Sequence, residues 1–433
     1  MNSAQGASPP DGNAVGPLRR YWFGIPLWKR ILPALMLGVL TGWLLGENAV
    51  QLQWMGDLFI RLIRMLVAPL VFVIIVSGIA ALGDPRKLGS IGVKTLFLFA
   101  LITLSGVTVG LTLGTWIQPG AGISLASAES AAVQQAKSFT EQLLSIVPVN
   151  PVKSLAEGEM MSVIFFAIMF GIGILCAGPR AQMVGNLFHG ATDVLIKLVH
   201  IIMEVAPFGV FALMAALVGK SGFAVFANIF WLALCVVIGC AVQTFLVHGS
   251  LVRFLGRLPL LPFYRGIAEV MIVAFSTSSS SATLPVAMAA AEDRLGIKPP
   301  VVATVMPLGS TMSMDGTAMY MALLSMFAAQ SFGIVLQPSD YLLLLLSITI
   351  VAMGTPPIPS SSLFLLVAIL SGVGIGPEQT ALLVGFILPI DRPLDMIRTI
   401  PNVTSDLAAA TVVAKWEGEI DLDIYHARRP NED

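Results

Sequence analysis

Long apolar runs separated by short polar breaks fill the earlier part of the chain, at residues 29–47, 56–82, 93–117, 160–177, 190–219 and 224–250. Each approaches or exceeds the ~20 apolar residues that carry an α-helix across ~30 Å of hydrocarbon, so the pattern predicts six membrane-spanning helices. The breaks between them differ. The first residues are polar and proline-rich up to Gly16 and then basic, with Arg19, Arg20, Lys29 and Arg30 leading into the first run. No short apolar core with a small-residue cleavage site precedes them, so this stretch reads as a cytoplasmic tail and not as a removable signal peptide. Between Gln118 and Glu159 lies a long connection rich in Ser, Ala and Gln, read as an extracellular loop.

Beyond residue 258 the runs shorten. Apart from Glu269, residues 266–275 and 284–291 are apolar. Arms of about ten residues rise only ~15 Å as helix, half a bilayer. The polar stretch STSSSSAT, residues 276–283, lies between them. A second pair, 341–353 and 363–372, flanks the tip GTPPIPSSS at 354–362. Folded back as re-entrant hairpins, both pairs end in mid-membrane, where irregular backbone survives only against protein or enclosed water. The tips are therefore predicted to meet a site.

Each pair is followed by a segment carrying acids. After the second, Asp391, Asp395, Arg398, Asn402 and Asp406 recur at steps that place all five on one helix face. A charge at mid-bilayer costs about 2.5–3.5 kcal/mol, so this face is predicted to line an enclosed polar site. It combines carboxylates suited to cations with a guanidinium suited to a carboxylate. After the first pair, Pro307 removes a helical hydrogen bond and Asp315-Gly316 favours non-helical backbone, so carbonyls between them are expected to be freed beside a carboxylate. Interrupted helices converging in this way are the inverted-repeat pattern of secondary transporters, where freed carbonyls coordinate sodium.

Composition agrees with that setting. Hydrophobic residues make up 56% and charged residues 11%, with mean hydropathy +0.87, which describes a polytopic membrane protein. A net charge of -1 leaves no basic stripe for nucleic acid. Cys176, Cys235 and Cys240 lie in apolar runs and read as packing residues, not as a disulfide framework or metal site. Arg86, Lys87 and Lys94 follow the second run, Arg253, Arg257 and Arg265 follow the sixth, and residues 47–57 hold no Lys or Arg. By the positive-inside rule the N-terminus is cytoplasmic. Arg61 and Arg64 in the second run, and Lys197 and Glu204 in the fifth, read as snorkelling or helix-pairing groups. A serine hydrolase is set aside: His189, His200, His248 and His426 all lie outside the motif region, and no Ser-x-x-Lys base stands near the serines.

Several motifs carry a family resemblance. SSSSATLP at 278–285, MDGTAMY at 314–320 and the D-x3-D-x2-R-T-x2-N-V-T-x-D pattern at 391–406 resemble the dicarboxylate/amino acid:cation symporter family, which includes the glutamate transporters. The stretches 147–172 and 206–215 resemble it too, so the likeness covers nearly the whole chain. It implies an all-α polytopic membrane protein of the cell membrane, with eight transmembrane helices plus two re-entrant helical hairpins, inverted repeats and an elevator-type homotrimer in contact with lipid.

On this reading residues 1–28 form the N-terminal tail, 29–92 scaffold helices 1–2 and 93–117 transport-domain helix 3. Residues 118–159 are the extracellular connection, 160–219 scaffold helices 4–5, 220–415 the transport core and 416–433 a cytoplasmic C-terminal tail. The resemblance further implies that Arg398 takes the substrate's side-chain carboxylate, Asp395 its α-amino group and Asn402 its main-chain polar atoms. Thr317, Thr399 and the serines Ser278, Ser279 and Ser280 complete that pocket. Thr355, Pro359 and Ser362 fall in the gate. One Na+ is expected at Asp406 with carbonyls of Gly309, Ser313 and Asn402, and a second at carbonyls of Thr311 and the Thr355 region close to Met314.

Departures from the family pattern affect specific roles. Ser313 stands where Asn is frequent and Ile102 where Thr is common, which puts a third sodium site of Thr103, Ser313 and Asp315 in question. The proline-rich second tip replaces a glycine-rich one, and Pro401 frees the carbonyl of Ile397. Many members carry a second arginine at the positions of Ser278 or Met396. Here Arg392, one turn before Met396, is expected to supply that charge and pair with Asp391 or Asp395. The charges suit L-aspartate or L-glutamate, with a C4-dicarboxylate as the alternative. Sodium is the expected coupling ion, with H+ as the alternative because buried acids carry protons. A channel-like anion conductor is the more distant reading.

Overall fold

The computed structural model describes residues 25, 27–81, 89–123, 147–157, 159–222, 225–355 and 361–426. Arg19, Arg20, Arg86, Lys87, Pro359 with its neighbours 356–360, the centre of the 118–159 connection and the chain after His426 lie outside these residues. The described chain is nearly all helical, with one isolated antiparallel bridge between Ile297 and Ile420. Among the described residues five helical stretches, Lys29–Leu62, Gly89–Ile117, Ser162–Met203, Ala227–Leu255 and Leu260–Thr277, are long and apolar enough to cross a membrane.

The helices are α1 Leu27–Leu45, α2 Gln53–Ala81, α3 Gly89–Ile117, α4 Pro151–Glu157, α5 Met160–Ala177, α6 Gln182–Met203 and α7 Ala206–Ser221. The apolar run at 190–219, expected as one helix, is thus two. Pro207 sits in the first turn of α7 and cannot donate into the preceding turn, so the helix ends at Met203 and restarts. Glu204, at that break, receives Arg30 Nη1 of α1 at 2.5 Å, which makes it a helix-pairing group. Arg61 and Lys197 are exposed, as snorkelling residues are.

Next come α8 Val225–Ala241, extended to Leu255 through the turns Val242–Val247, His248–Ser250 and Leu251–Leu255, then α9 Leu260–Thr277 and α10 Ser280–Asp293. α11 Pro299–Met312 and α12 Asp315–Ser331 follow, then α13 Pro338–Met353 and α14 Ser361–Gly372. α15 Pro377–Glu417 and the short α16 Leu422–Tyr425 end the described chain. Both expected helix pairs are present, but the arms are longer than the half-bilayer lengths read from hydropathy: 18 and 14 residues in the first, 16 and 12 in the second. Polar side chains at the outer ends, such as Arg265, Glu292 and Asp293, lower the hydropathy without stopping the helix.

The break expected between Pro307 and Gly316 falls at Ser313 and Met314, whose ψ angles of 79° and 47° leave the helical range. Helix continues through Pro307, and Asp315-Gly316 opens α12 instead of interrupting it. α15 likewise continues through Pro401 for 41 residues.

Packing fixes where these breaks sit. α3 presents Gly106, Gly110 and Gly114 to α12, and a Cβ on Gly106 would fall 2.7 Å from the carbonyl oxygen of Asp315. Only glycine lets the two backbones approach this closely, as small residues do in membrane helix pairs. Two apolar cores result. One joins Phe59, Val210, Leu213, Met319, Phe327, Leu366 and Leu394; the other joins Leu98, Phe263, Val302, Val403, Leu407 and Tyr425. The polar stretch of α15 between Leu394 and Val403 lies where that helix passes from one core to the other. Cys235 and Cys240 are buried packing residues, whereas Cys176 is exposed.

The segment after Trp416, read from sequence as a plain charged tail, is folded in its first part. Glu419 pairs with Lys298 at 3.0 Å, Asp421 N–H donates to the carbonyl of Gly296 at 2.7 Å, and the Tyr425 hydroxyl donates to the carbonyl of Pro259 at 2.9 Å. Glu417, partly buried, receives Lys94 and Ser90, and both hydrogen bonds hold its carboxyl below the ordinary glutamate range.

Candidate functional site

Asp391, Asp395, Arg398, Asn402 and Asp406 project from one face of α15, and all five are buried. Arg398 is the hub of this face. Its Nε and Nη2 donate to Asp395 Oδ1 at 2.9 and 2.5 Å, and Nη1 donates to Ser362 Oγ in the first turn of α14. Nη1 also stands 3.9 Å from Asp391 Oδ1, and the guanidinium lies 4.4 Å from the centre of the Tyr320 ring, a cation–π contact. Tyr320 donates its hydroxyl to Asp391 at 3.0 Å. A buried guanidinium is thus held by two carboxylates, a hydroxyl and an aromatic face, which is the satisfaction a desolvated charge requires.

Asp395 is shared. Its Oδ2 receives Arg392 Nη1 at 3.2 Å, and its backbone carbonyl receives Thr399 Oγ1 at 2.7 Å. The charged quartet of Asp391, Arg392, Asp395 and Arg398 balances in sign, so a ligand entering it exchanges one set of ionic contacts for another.

Asn402 ties α15 to the start of α12. Its Oδ1 accepts the backbone N–H groups of Gly316 and Thr317 at 2.8 and 3.2 Å, while its Nδ2 donates to Thr317 Oγ1 at 3.1 Å and to Met314 Sδ at 3.4 Å. The N–H groups of a first helical turn have no partner within their own helix, and here the asparagine supplies one.

One turn on, Asp406 lies against Gly309, where a Cβ would fall 2.6 Å from the carboxylate carbon. Asp406 Oδ1 is buried without a hydrogen-bond partner among the described residues. An orphaned carboxylate oxygen beside Gly309 has the hard-oxygen chemistry of a cation site; of the carbonyls nearby in sequence, that of Gly309 accepts the N–H of Ser313 at 2.8 Å and that of Asn402 accepts Ser405 Oγ at 2.6 Å. Thr311 and Met314 flank the break after α11, and the hydroxyl of Thr311 returns to its own helix at Leu308 O, 3.0 Å. Thr355 is buried at the end of α13, donating to Val351 O at 3.0 Å.

The serines of the first pair take individual roles. Ser278 adopts a left-handed conformation at φ 51° and buries a hydroxyl that has no partner among the described residues. Ser279 caps α10 by accepting the N–H of Ala282 at 3.3 Å, and Ser280 is buried in the first turn. The structure gathers Ser362, Arg392, Asp395, Arg398 and Thr399 into one bonded group and Thr317 with Asn402 into a second, further along the same face of α15. The helices α9 and α10, which flank Ser278 and Ser279 and include Ser280, both pack on α15.

The third-sodium set is spread over other contacts. Ser313 Oγ is 2.7 Å from Ser405 Oγ, and Asp315 Oδ2 is 3.0 Å from His248 Nε2. Thr103 Oγ1 and Asp315 Oδ1 are buried without hydrogen-bond partners among the described residues. His248, set outside the motif region on sequence, is therefore in contact with it. Its signal was present, because an ionisable side chain inside an apolar run points to a site by default. Tyr320, inside the MDGTAMY motif, is a second participant that sequence reasoning missed.

The chain matches the model of the sodium:dicarboxylate symporter family over residues 27–416. It is 35% identical over 407 residues to the proton/sodium-glutamate symport protein of Bacillus caldotenax, covering 91% of this chain and 95% of the relative. It is 35% identical over 415 residues to the proton/glutamate-aspartate symporter of Escherichia coli, covering 91% and 93%. Identity to the C4-dicarboxylate transport protein of Rhodospirillum rubrum is 34% over 418 residues, covering 95% and 92%.

Proposed function

This chain belongs to the sodium:dicarboxylate symporter family, a family of transporters and not of enzymes, and from that premise we propose that it takes up L-aspartate or L-glutamate together with cations. The observation that carries the reading is the buried Arg398–Asp395 pair on α15. A ligand bearing both a carboxylate and an ammonium group matches this pair charge for charge. Its side-chain carboxylate takes the guanidinium bidentately, and its amino group takes Asp395. Asn402, Thr317 and Thr399 orient its remaining polar atoms, and Ser278 Oγ offers a free hydroxyl from the first pair. Ser362, now bonded to Arg398, belongs with Thr355 and Pro359 to the gate formed by the second pair.

Sodium is the proposed co-substrate. Asp406 with the carbonyls of Gly309, Ser313 and Asn402 forms one site, and the carbonyls of Thr311 and the Thr355 region near Met314 form the other. A cation at Asp406 neutralises a buried carboxylate and ties α11 to α15, which is how ion binding would favour the substrate-competent arrangement. A proton on a buried carboxyl is the alternative coupling ion.

The packing of the helices supports an elevator reading. α1, α2, α5, α6 and α7 pack chiefly on one another, α3 and α8–α15 on one another, and the sets meet where α14 and α15 face α1, α2, α5 and α7. We assign the first set to a scaffold of a homotrimer and the second, with both pairs re-entrant, to the moving unit. Arg253, Arg257, Arg265 and Lys94 mark the cytoplasmic end, together with the N- and C-termini.

A C4-dicarboxylate is the second reading, supported by Arg392, which adds a second guanidinium beside Arg398. Binding of L-aspartate, L-glutamate and succinate to the purified protein, measured calorimetrically with and without sodium, tests the choice. Amino-acid binding that is lost in Asp395→Asn supports the first reading. Succinate binding that survives Asp395→Asn, with no amino-acid binding, supports the second.

A further inference from the structure

The corner where α8 turns into α9 carries three arginines that neither the proposed substrate site nor the proposed sodium sites use. Residues 251–265 hold Arg253, Arg257 and Arg265 and no acidic residue. All three are exposed, and none pairs with a carboxylate among the described residues. At the same end of the molecule Lys94 is paired with Glu417 at 2.8 Å, Lys298 with Glu419 at 3.0 Å, and Arg294 with Glu269. Uncompensated positive charge is thus concentrated at this corner.

Three helices hold the corner in shape. Gly256 N–H donates to Leu251 O at 3.0 Å and Leu258 N–H to Val252 O at 3.1 Å, which closes the end of α8. The Tyr264 hydroxyl lies 2.9 Å from Thr244 O and 3.1 Å from Phe245 O, fixing α9 against α8. From α15, Trp416 Nε1 donates to Leu255 O at 3.1 Å. Arg257 follows the helix end at φ 52°, the left-handed position that glycine fills by default. A long cationic side chain is kept where a residue without one fits better.

Two observations set this corner at a membrane surface. It joins the ends of two stretches long and apolar enough to cross, Ala227–Leu255 and Leu260–Thr277. Beside the arginines, Phe254 is 72% and Leu261 60% exposed, and Trp416 offers the amphipathic ring found at headgroup level. Unpaired guanidinia next to exposed apolar groups match an amphiphile with a phosphate head and acyl chains. Each guanidinium suits phosphate oxygens bidentately. A soluble anion would leave Phe254 and Leu261 uncovered, and a zwitterionic lipid brings its own cation beside the phosphate.

We infer that the α8–α9 corner is a docking surface for anionic phospholipid, whose phosphate is held by Arg253, Arg257 and Arg265. The inference rests on the membrane-spanning reading alone. It holds whichever substrate and ion the symporter carries, and whichever side of the membrane the corner faces.

Native mass spectrometry of the purified protein, offered phosphatidylglycerol and phosphatidylcholine of identical acyl chains, tests it without any transport substrate. Wild type is expected to retain phosphatidylglycerol in preference. Each basic residue near an anionic surface contributes about fivefold in affinity, so Arg253→Gln/Arg257→Asn/Arg265→Gln should weaken phosphatidylglycerol binding on the order of a hundredfold. Asparagine is used at 257 because it tolerates the left-handed backbone. Should the triple variant fail to fold, Arg265→Gln alone should weaken binding about fivefold. Arg294→Gln, which removes a guanidinium already paired, should bind as wild type does. Equal retention of the two lipids by wild type overturns the inference, as does an unchanged preference in the folded arginine variants or an equal loss in Arg294→Gln. Displacement of phosphatidylglycerol by inorganic phosphate, beyond that caused by chloride at equal ionic strength, overturns it in favour of a soluble anion.

Discussion

Arg392 donates across one turn of α15 to Oδ2 of Asp395 at 3.2 Å, on the side of the carboxylate that Arg398 leaves free. The carboxylate proposed to hold the substrate's amino group is therefore positioned by two guanidinia. Arg392 is partly exposed at 12%, so it retains access to solvent while steering a buried group.

Removing that hydrogen bond should loosen Asp395. Arg392→Ala is expected to weaken acidic amino-acid binding about tenfold, or ~1.4 kcal/mol, with Arg392→Lys recovering part of the loss. Titration of substrate into each variant measures this. Wild-type affinity and rate in Arg392→Ala would leave the residue a structural role only.

Charge alone does not explain Arg398. Its planar group bonds Asp395 and Ser362 and stacks on Tyr320, none of which a lysine ammonium reproduces. Arg398→Lys is expected to lower substrate affinity about a hundredfold, or ~2.7 kcal/mol. A lysine variant within threefold of wild type would show that a point charge suffices.

At Asp406 the expectation concerns coupling. Sodium should tighten substrate binding in the wild type by roughly tenfold or more, within the usual 1–3 kcal/mol of coupled sites. Asp406→Asn should abolish that effect while weak sodium-independent binding remains. An undiminished sodium effect in the variant would move the ion elsewhere.

The glycine stripe of α3 is open to a direct stability test. Gly110 lies against the carbonyl of Met319, so Gly110→Val forces α3 and α12 apart. Overpacking of this kind costs about 2 kcal/mol. A thermal unfolding midpoint equal to wild type would mean that the two helices are not held by close backbone contact.

Periodicity made the polar face of α15 legible, because burial of charge in an apolar chain admits few arrangements and the steps of three and four name the face outright. The two helix pairs were legible for the same reason, although hydropathy shortened their arms: polar outer residues such as Arg265, Glu292 and Asp293 resemble a loop in composition. The restart at Pro207 and the break at Ser313 depend on which hydrogen bond a particular backbone loses, which composition does not reveal. Partners from distant segments were the least legible. Nothing along the chain joins Arg30 to Glu204 or His248 to Asp315; only the packing of α1 on α7, and of α8 on α12, brings those segments together.

The central claim is coupled uptake of an acidic amino acid, and uptake of radiolabelled L-aspartate and L-glutamate into proteoliposomes tests it most directly. An inward sodium gradient, a proton gradient and no gradient are compared, with succinate as competitor. The account predicts accumulation above the external concentration that requires the sodium gradient and is insensitive to succinate. Uptake that only equilibrates, or that succinate blocks and amino acids do not, would contradict it.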